Sequence, residues 1–251
     1  MLTIERYKFI KSEIDKYGYV KVQDICHELN ISESTVRRDL QQLEADGELL
    51  RVHGGAQSIQ LLKVEENLEE KSSLNMLNKT AVAKVASELI QPDNVIFLDA
   101  GSTTFAMIPY LKTVKNLTVV TNGVNHALAL AEHNIKTIVI GGQVKANTKA
   151  IVGAESIKTI NNLQFDLVFL GMNSINLDFG FSTPDPEEAA IKLAAINQSK
   201  QTYVLADQSK FNQVSFVKVA DLNRATIITD KLATDDFKNY KTKTKIQEVQ
   251  Q

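Results

Sequence analysis

Apolar residues recur at helical spacing through the first forty-five positions of the chain. The first repeat occupies residues 5–18 and closes on a glycine, and a shorter one occupies residues 22–29. The third repeat occupies residues 32–45 and opens on Ser32, whose side-chain oxygen suits an N-cap. The pattern therefore predicts three short helices in succession.

The third repeat separates a core stripe from an outward face. Val36, Leu40 and Leu43 fall at helical spacing and would be buried. The same geometry directs Ser34, Arg38 and Gln41 away from the core, with Thr35, Arg37 and Gln42 beside them. Residues 49–55, which end in two glycines, predict a small β-hairpin after this helix.

From residue 79 onward, helical segments alternate with short apolar runs. Six runs predict strands: VIFLD (95–99), LTVVTN (117–122), TIVIGG (137–142), DLVFLGM (166–172), TYVLAD (202–207) and ATIITD (225–230). This alternation is typical of a mostly parallel sheet that is covered by helices. The predicted fold is α/β, with a small N-terminal helical domain and a larger, mostly parallel α/β domain.

The length of 251 residues favours two domains. We predict an N-terminal domain over residues 1–57, a linker over 58–78 and a second domain over 79–251. The linker is acidic and then polar, and its pattern leaves open whether it is a tether or a signal-transmitting arm. The lysine-rich tail, residues 238–251, is expected to be a solvated end.

Composition narrows the function classes. The chain is 43% hydrophobic and 23% charged, as in globular proteins. It shows neither the apolar core of a signal peptide nor a run that would span a bilayer, so a cytoplasmic protein without membrane contact is predicted. The single cysteine, Cys26, excludes an internal disulfide, and its apolar neighbours favour core packing over catalysis. No metal and no cofactor are predicted.

Two short helices that lead into a third resemble a helix-turn-helix module, whose last helix enters the major groove of DNA. Arginine suits that task because its guanidinium binds guanine edges or phosphate oxygens in two places. A merely solvated helix face is the alternative, since residues 1–57 contain eight lysine and arginine residues against ten acidic ones. Spacing alone leaves both interpretations open.

Small and polar residues end nearly every predicted strand. They are Asp99, Asn122, Gly141, Gly142, Gly171, Asp207 and Asp230. In open α/β sheets, ligands bind beyond the carboxyl ends of the strands. The same residue types also make ordinary turns, but six similar strand ends favour the rim of a common pocket.

The segment DAGSTT, residues 99–104, follows the first of these strands. Gly101 allows a tight turn, and Ser102, Thr103 and Thr104 bring hydroxyls and free N–H groups to a helix start. This combination predicts a phosphate or carboxylate site, with simple helix capping as the alternative. The lysine and glycine spacing of a Walker A loop are absent, so nucleotide hydrolysis has no support.

Lysines supply the complementary charge. Lys210 follows the strand TYVLA in the segment DQSK, where its cation suits a phosphoryl group. Lys149 and Lys192 are weaker candidates because a surface lysine is usually only solvated.

Residues 32–56, SESTVRRDLQQLEADGELLRVHGGA, closely resemble the N-terminal signature of the DeoR family of bacterial transcription regulators. The resemblance extends over the third helix, the hairpin and the glycine pair without a gap. It implies a winged helix-turn-helix that binds operator DNA. The predicted DNA-binding residues are Ser34, Thr35, Arg37, Arg38 and Gln41 of the helix, with Arg51 and His53 of the wing.

The second domain resembles the DeoR-family effector domain, which is similar in fold to ribose-5-phosphate isomerase. In those isomerases a DGTGST-like loop and the lysine of a D-x-S-K segment hold the sugar phosphate, and DAGST and DQSK match them here. The catalytic GADE-I-D segment corresponds to residues 171–176, where Asn173 and Asn176 stand in place of carboxylates. An amide cannot accept and return a proton near neutral pH. The resemblance therefore implies a sensor and not an enzyme, although Glu187 or Glu188 lies nearby.

Residues 177–192, LDFGFSTPDPEEAAIK, look most like the fructose-operon repressors of that family, which implies fructose 1-phosphate as effector. The predicted effector-binding residues are Asp99, Gly101, Ser102, Thr103, Thr104, Asn122, Gly142, Lys149, Asn173 and Lys210. The implied partners are operator DNA, a phosphorylated sugar and further copies of the chain, in a dimer or tetramer, because one helix-turn-helix rarely binds tightly alone. A phosphosugar isomerase with an accessory helix-turn-helix domain remains the alternative.

Overall fold

The computed structural model describes residues 2–52, 54–59 and 76–249. Its N-terminal part contains, in chain order, α1 (Thr3–Tyr17), β1 (Tyr19–Lys21), α2 (Val22–Leu29), α3 (Glu33–Ala45), β2 (Leu50–Val52) and β3 (Gly55–Gln57). The three strands form an antiparallel sheet in the order β1-β3-β2. The predicted winged helix-turn-helix is confirmed.

The three helices follow the predicted apolar repeats. Gly18 ends α1 in the left-handed conformation, with φ 77°, and Asn30 ends α2 in the same way, with φ 50°. Ser32 caps α3 by accepting a hydrogen bond from the N–H of Thr35 at 3.4 Å. The predicted stripe of α3 is buried against α1 and α2. Strand β1 was not predicted, because three residues are too few to show a period.

The C-terminal part is built on a larger sheet. Its first half contains α4 (Met76–Ser87), β4 (Val95–Leu98), α5 (Ser102–Phe105), α6 (Ile108–Leu111), β5 (Thr118–Thr121), α7 (Val124–Glu132), β6 (Lys136–Val139), β7 (Gln143–Val144), β8 (Ile151–Val152) and α8 (Ala154–Asn161). Its second half contains β9 (Phe165–Gly171), β10 (Ser174–Asn176), β11 (Gly180–Thr183), α9 (Pro186–Asn197), β12 (Ser199–Ala206), β13 (Val217–Ala220), β14 (Thr226–Thr229), α10 (Thr234–Lys241) and β15 (Ile246–Glu248). Two 3₁₀ turns, Gln208–Lys210 and Leu222–Arg224, flank β13.

Seven parallel strands form the main sheet in the order β15-β14-β12-β9-β4-β5-β6. All six predicted strands belong to it, which confirms the predicted α/β fold class. Successive side chains of each strand face opposite sides of the sheet. In β4, Phe97 packs into one apolar core with α8 and α9, whereas Ile96 and Leu98 pack into another with α4 and α6. Both faces of the sheet are therefore covered, as expected for parallel strands.

The order of the strands places a switch point between β4 and β9. After β4 the chain adds β5 and β6 on one side, and it then returns to add β9 and β12 on the other. The loops after β4 and β9 diverge at such a point and leave a crevice at the carboxyl ends of the strands, where ligands bind in open α/β sheets.

Several elements were not predicted. The tail expected to be a solvated end instead completes α10 and forms β15, which pairs with β14 at the edge of the main sheet. A second, antiparallel sheet of β10, β11 and β13 lies apart from the main one, and β7 pairs with β8 in a hairpin. These strands are mostly two to four residues long, too short to show a clear alternation.

The predicted boundaries at 57/58 and 78/79 stay predictions. Residues 60–75, most of the predicted linker, lie outside the described residues, and α4 begins at Met76. Within the described ranges, no helix combines the length and the hydropathy needed to cross a membrane.

Candidate functional site

Helix α3 presents a polar face to solvent. Ser34, Arg38 and Gln41 are exposed, as the helical spacing predicted. Arg37 is also exposed, and its Nε donates to Glu33 Oε1, one turn earlier, at 2.8 Å. The outward face therefore has the shape and side chains that a major groove accepts, with one of its two arginines already paired.

The other predicted DNA contacts differ in exposure. Thr35 is half-buried, with its hydroxyl 2.9 Å from that of Ser32. Arg51 in β2 is exposed, and its guanidinium lies 3.8 Å from a carboxylate oxygen of Glu44. His53 lies outside the described residues.

A buried ion pair fixes α3 from behind. Asp39 is 4% exposed, and the Arg6 guanidinium donates to its two carboxylate oxygens at 2.5 and 2.9 Å. This two-point contact ties α1 to α3 and sets the orientation of the exposed face. Sequence reasoning missed Asp39, although a carboxylate inside the apolar stripe of Val36 and Leu40 was the available signal.

A cleft lies at the carboxyl ends of β4, β9 and β12, at the switch point of the sheet. It has a volume of about 240 Å³. Its polar lining residues are Lys79, Asp99, Ser102, Thr103, Thr148, Asn173, Glu188, Lys192, Asp207, Ser209 and Lys210, and Gly101 and Gly171 contribute main chain. Six of the ten predicted effector-binding residues are thereby brought together: Asp99, Gly101, Ser102, Thr103, Asn173 and Lys210.

Asp99 belongs to a buried ion pair in the floor of the cleft. Its carboxylate accepts a hydrogen bond from the ammonium of Lys192 and another from the N–H of Gly171, at 3.1 Å. The expectation that Lys192 is a solvated surface lysine was wrong, since it is 5% exposed. The pair holds the loop after β4 against the end of β9 and so shapes the cleft.

Thr104 and Asn122 lie behind the loop and do not line the cleft. The Thr104 hydroxyl donates to the carbonyl of Asp99 at 2.6 Å and accepts from the N–H of Gly101 at 3.0 Å. Asn122 Oδ1 accepts from the N–H of Ala100 at 2.9 Å. Both side chains hydrogen-bond to the main chain of the turn, so the structure assigns them to its support.

His126 supports the same turn from α7. Its ring is 1% exposed, lies 3.2 Å from the Thr104 hydroxyl through Nε2 and makes an edge contact with Phe105. Burial lowers the pKa of His126 from 6.5 to about 3, because the imidazolium would lose its hydration there. The imidazole is therefore neutral at physiological pH.

Gly142 and Lys149 lie away from the cleft lining. Gly142 connects β6 to β7, and an added Cβ there would meet Ser156 Oγ at 2.3 Å, so close packing explains the glycine. Lys149 is exposed on the β7–β8 hairpin, where its ammonium donates to the carbonyl of Ala146 at 2.7 Å.

The two asparagines that the isomerase resemblance matches to carboxylates have different positions. Asn173 lines the cleft, and its Oδ1 accepts from the Thr183 hydroxyl at 3.0 Å. Asn176 is 3% exposed and accepts two main-chain N–H groups, those of Asp178 and Phe179, in the turn after β10. Asn176 is thus a turn residue in this protein.

Lys79, Thr148 and Glu188 line the cleft without having been predicted as ligand contacts. The Thr148 hydroxyl donates to Glu188 Oε1 at 2.7 Å and joins the β7–β8 hairpin to α9. Lys79 is 7% exposed on α4, on the same side as the buried Val82. A lysine within the apolar stripe of a helix was the signal that sequence reasoning missed.

Two family models match the chain. The DeoR-like helix-turn-helix domain matches residues 6–61, and the DeoR C-terminal sensor domain matches residues 74–231. The regulator FruR of Bacillus subtilis (strain 168), whose function is described as uncharacterized, is 44% identical over 249 residues, which are 99% of each chain. The putative aga operon transcriptional repressor of Escherichia coli O157:H7 is 34% identical over 90% of this chain and 85% of its own.

Among solved structures, ribose 5-phosphate isomerase from Plasmodium falciparum is similar with a TM-score of 0.40 and 16% identity, over 53% of this chain and 52% of that one. The isomerase of Methanocaldococcus jannaschii is similar with a TM-score of 0.41 and 17% identity, over 55% of each chain. The matched models and relatives together cover both the winged helix and the larger domain with its cleft. The chain belongs to the DeoR family of HTH-type transcriptional regulators.

Proposed function

We propose that the protein is a repressor of a sugar-utilisation operon and that a phosphorylated sugar, fructose 1-phosphate, releases it from its operator. The observation that carries this proposal is the cleft at the switch point of the sheet. Its lining contains Lys79 and Lys210 together with the hydroxyls of Ser102 and Thr103. Ammonium and hydroxyl donors in one cleft suit a phosphate dianion better than a neutral sugar.

Other lining residues suit the sugar. Asn173, Thr148 and Glu188 present amide, hydroxyl and carboxylate groups, which exchange hydrogen bonds with sugar hydroxyls. A volume of about 240 Å³ accommodates a small ligand of this kind. Cations and sugar-binding polar groups in one cleft together support a monophosphorylated sugar as the effector.

Two carboxylates of the cleft, those of Asp99 and Asp207, are engaged in holding the protein together, which supports binding without turnover. Asp99 is paired with Lys192, and Asp207 accepts from the N–H of Ser209 at 2.9 Å. A general base needs access to the proton that it removes. We expect no isomerase turnover on ribose 5-phosphate or hexose phosphates, and sustained turnover by protein free of contaminating isomerase would contradict the proposal.

On the DNA side, the proposal assigns Ser34, Thr35, Arg37, Arg38, Gln41 and Arg51 to the operator contact. The exposed face of α3 supports it, and so do the names of the relatives, which are transcription regulators. A repressor of this design acts in the cytoplasm, on operator DNA, as a dimer or tetramer. Analytical ultracentrifugation with and without operator DNA tests the oligomer, and a monomer on the operator would contradict it.

Calorimetric titration of the full-length protein tests the effector. We expect fructose 1-phosphate to bind more tightly than fructose and other sugar phosphates. Lys210→Ala should weaken its binding about 10–100-fold, because a charge-assisted hydrogen bond contributes about 1.5–3 kcal/mol. Lys149→Ala is the matched control, since Lys149 is an exposed lysine outside the cleft lining. An equal loss of fructose 1-phosphate affinity in the two variants would show that the cleft is not the effector site.

A further inference from the structure

One glutamine joins the wing to the effector domain. Gln57 is the last residue of β3 and is 2% exposed. Its side-chain Nε2 donates to the carbonyl of Val214 at 2.6 Å, and its Oε1 accepts from the N–H of Val214 at 2.9 Å. The amide thus pairs with the main chain of Val214 at two points, as a neighbouring strand would, and fixes both distance and orientation.

The segment that receives Gln57 begins in the effector cleft. We call residues 207–215 the coupling segment. Its first part is the 3₁₀ turn Gln208–Lys210, which carries Lys210 and Ser209 into the cleft. Val214 follows Lys210 by only four residues. One short stretch of chain therefore contacts the effector cleft at one end and the wing at the other.

The coupling segment is anchored along its length. The N–H of Gln208 donates to Asp230 Oδ1 at 2.6 Å, and the N–H of Asn212 donates to the hydroxyl of Tyr240 at 3.0 Å. The N–H of Ser215 donates to Ser182 Oγ at 2.9 Å. Bonds within the segment stiffen it: the N–H of Lys210 donates to the carbonyl of Asp207 at 3.1 Å, and Gln213 Nε2 donates to the carbonyl of Ser209 at 2.8 Å. A displacement at Lys210 is therefore passed on toward Val214.

The wing in turn is continuous with the DNA-facing helix. Strand β3 pairs with both β1 and β2, and the buried Ala56 of β3 shares a core with Val36 of α3. The winged helix is thus one packed unit, and the orientation of Gln57 sets the orientation of α3. A change of a few degrees there alters the spacing of paired recognition helices on an operator.

We propose that Gln57 is a positioning residue and that the coupling segment transmits the effector signal through it to the winged helix. This inference rests on the proposed function, because it describes how the effector cleft controls the operator contact. Effector binding at Lys210 shifts the coupling segment, Gln57 carries the shift into β3, and α3 is reoriented. By reciprocity, operator binding must change effector affinity by the same factor, and the proposed route requires that it do so through the coupling segment.

The test compares Gln57→Met with Gln164→Met in the full-length protein. Methionine keeps the length of glutamine and lacks its amide. Gln164 is the matched control, since it also donates from Nε2 to a main-chain carbonyl, that of Gln198, at 2.8 Å. Operator affinity is measured with and without fructose 1-phosphate. We take the ratio of the operator dissociation constant with fructose 1-phosphate to that without it. We expect this ratio to be about 10–100 in the unaltered protein and in Gln164→Met, and below about 3 in Gln57→Met.

The affinity of each ligand alone distinguishes positioning from damage. In Gln57→Met we expect fructose 1-phosphate and operator DNA each to bind within about threefold of the unaltered protein. Only their mutual effect should be lost. A ratio in Gln57→Met equal to that in the unaltered protein would overturn the inference.

A second measurement is independent of the effector and of the variant. Hydrogen–deuterium exchange of residues 207–215 in the unaltered protein should change when operator DNA binds. No change would overturn the inference, whatever the effector is. If the exchange changes but fructose 1-phosphate has no effect on operator affinity, the proposal that fructose 1-phosphate is the effector is contradicted, and the proposal for the coupling segment is supported.

Discussion

The exposed face of α3 and the effector cleft are built in opposite ways. The predicted DNA contacts on α3 lie on one face of a single helix, and the helical period defines that face. The cleft is lined from three strand ends, from α4 and α9 and from the β7–β8 hairpin, whose residues are up to 131 positions apart in the chain, from Lys79 to Lys210. A site on one element can be derived from spacing, whereas a convergent site needs the tertiary fold.

The two sites also differ in what their side chains do without a ligand. Arg38 and Gln41 on α3 are exposed, and they contribute little to the stability of the fold. In and behind the cleft, Asp99, Thr104 and Asn122 hold the turn that shapes it. Among the described residues, no buried side-chain nitrogen or oxygen lacks a hydrogen-bond partner. Substitutions at the cleft should therefore cost stability, and those on the exposed face of α3 should cost only DNA binding.

Lys192→Met should give the largest effect and is the strongest test of this contrast. It leaves the carboxylate of Asp99 buried, at 2% exposure, without the opposite charge. Breaking a buried ion pair from one side costs about 3–5 kcal/mol of folding free energy. Urea unfolding of the full-length protein measures this loss.

Two controls accompany Lys192→Met. The double variant Asp99→Asn with Lys192→Met removes both charges and should be less destabilised than Lys192→Met alone. Lys158→Met, at an exposed lysine of α8, should change stability by less than about 0.5 kcal/mol. If Lys192→Met unfolds like Lys158→Met, the ion pair does not hold the cleft.

The support behind the cleft should also make the protein sensitive to acid. Burial lowers the pKa of His126 to about 3 in the folded protein, whereas it is 6.5 when the ring is hydrated. Between these values the unfolded chain binds the additional proton, so stability falls as the pH falls from 6.5 toward 3. In His126→Gln this contribution is absent, and stability should depend less on pH in that window.

Unfolding free energies measured between pH 4.5 and about 7 test the contribution of His126. The carboxyls of Asp166, Asp185 and Asp221 have lowered pKa values and also lose stability in acid. They are present in both proteins, so the difference between the two pH profiles isolates His126. Parallel profiles would show that the ring is hydrated in the folded state.

The fold was predictable where apolar runs were long enough to show a period. All three helices of the winged helix and six strands of the main sheet follow such runs. The seventh strand, β15, consists of one apolar and two polar residues at the sheet edge, Ile246–Glu248, and its sequence gives no sign of pairing. Its place depends on β14, which is far more apolar.

The cleft was predictable only in part. The segment DAGSTT, residues 99–104, and Lys210 were predicted because strand ends mark ligand sites. A helix of four residues has no usable period, so the sequence cannot show that Thr103 lines the cleft while Thr104 faces inward. The position of Lys79 in the apolar stripe of α4 shows that it is buried, but only the packing of α4 brings it to the cleft.

On the α3 side, Arg38→Ala should weaken operator binding by about 1–3 kcal/mol if the guanidinium contacts a base. Arg37→Ala should weaken operator binding less, because Arg37 is paired with Glu33 in the free protein. Neither change should alter the urea unfolding midpoint. Fluorescence anisotropy at several salt concentrations measures the affinity and its salt slope. Arg224→Ala in the effector domain is the control, and equal operator affinity in all three variants would remove α3 from the interface.

The smallest expected effect concerns the Glu33–Arg37 pair. Both side chains are more than half exposed, and an i,i+4 pair of this kind is weak. Glu33→Gln should release Arg37 for the phosphate backbone and tighten operator binding about twofold at low salt, with no gain at high salt, where exposed charges are screened. Glu28→Gln on α2 changes the net charge equally without releasing Arg37. An equal gain in both variants would mean that total charge is responsible, and no gain in Glu33→Gln would place Arg37 away from the phosphates.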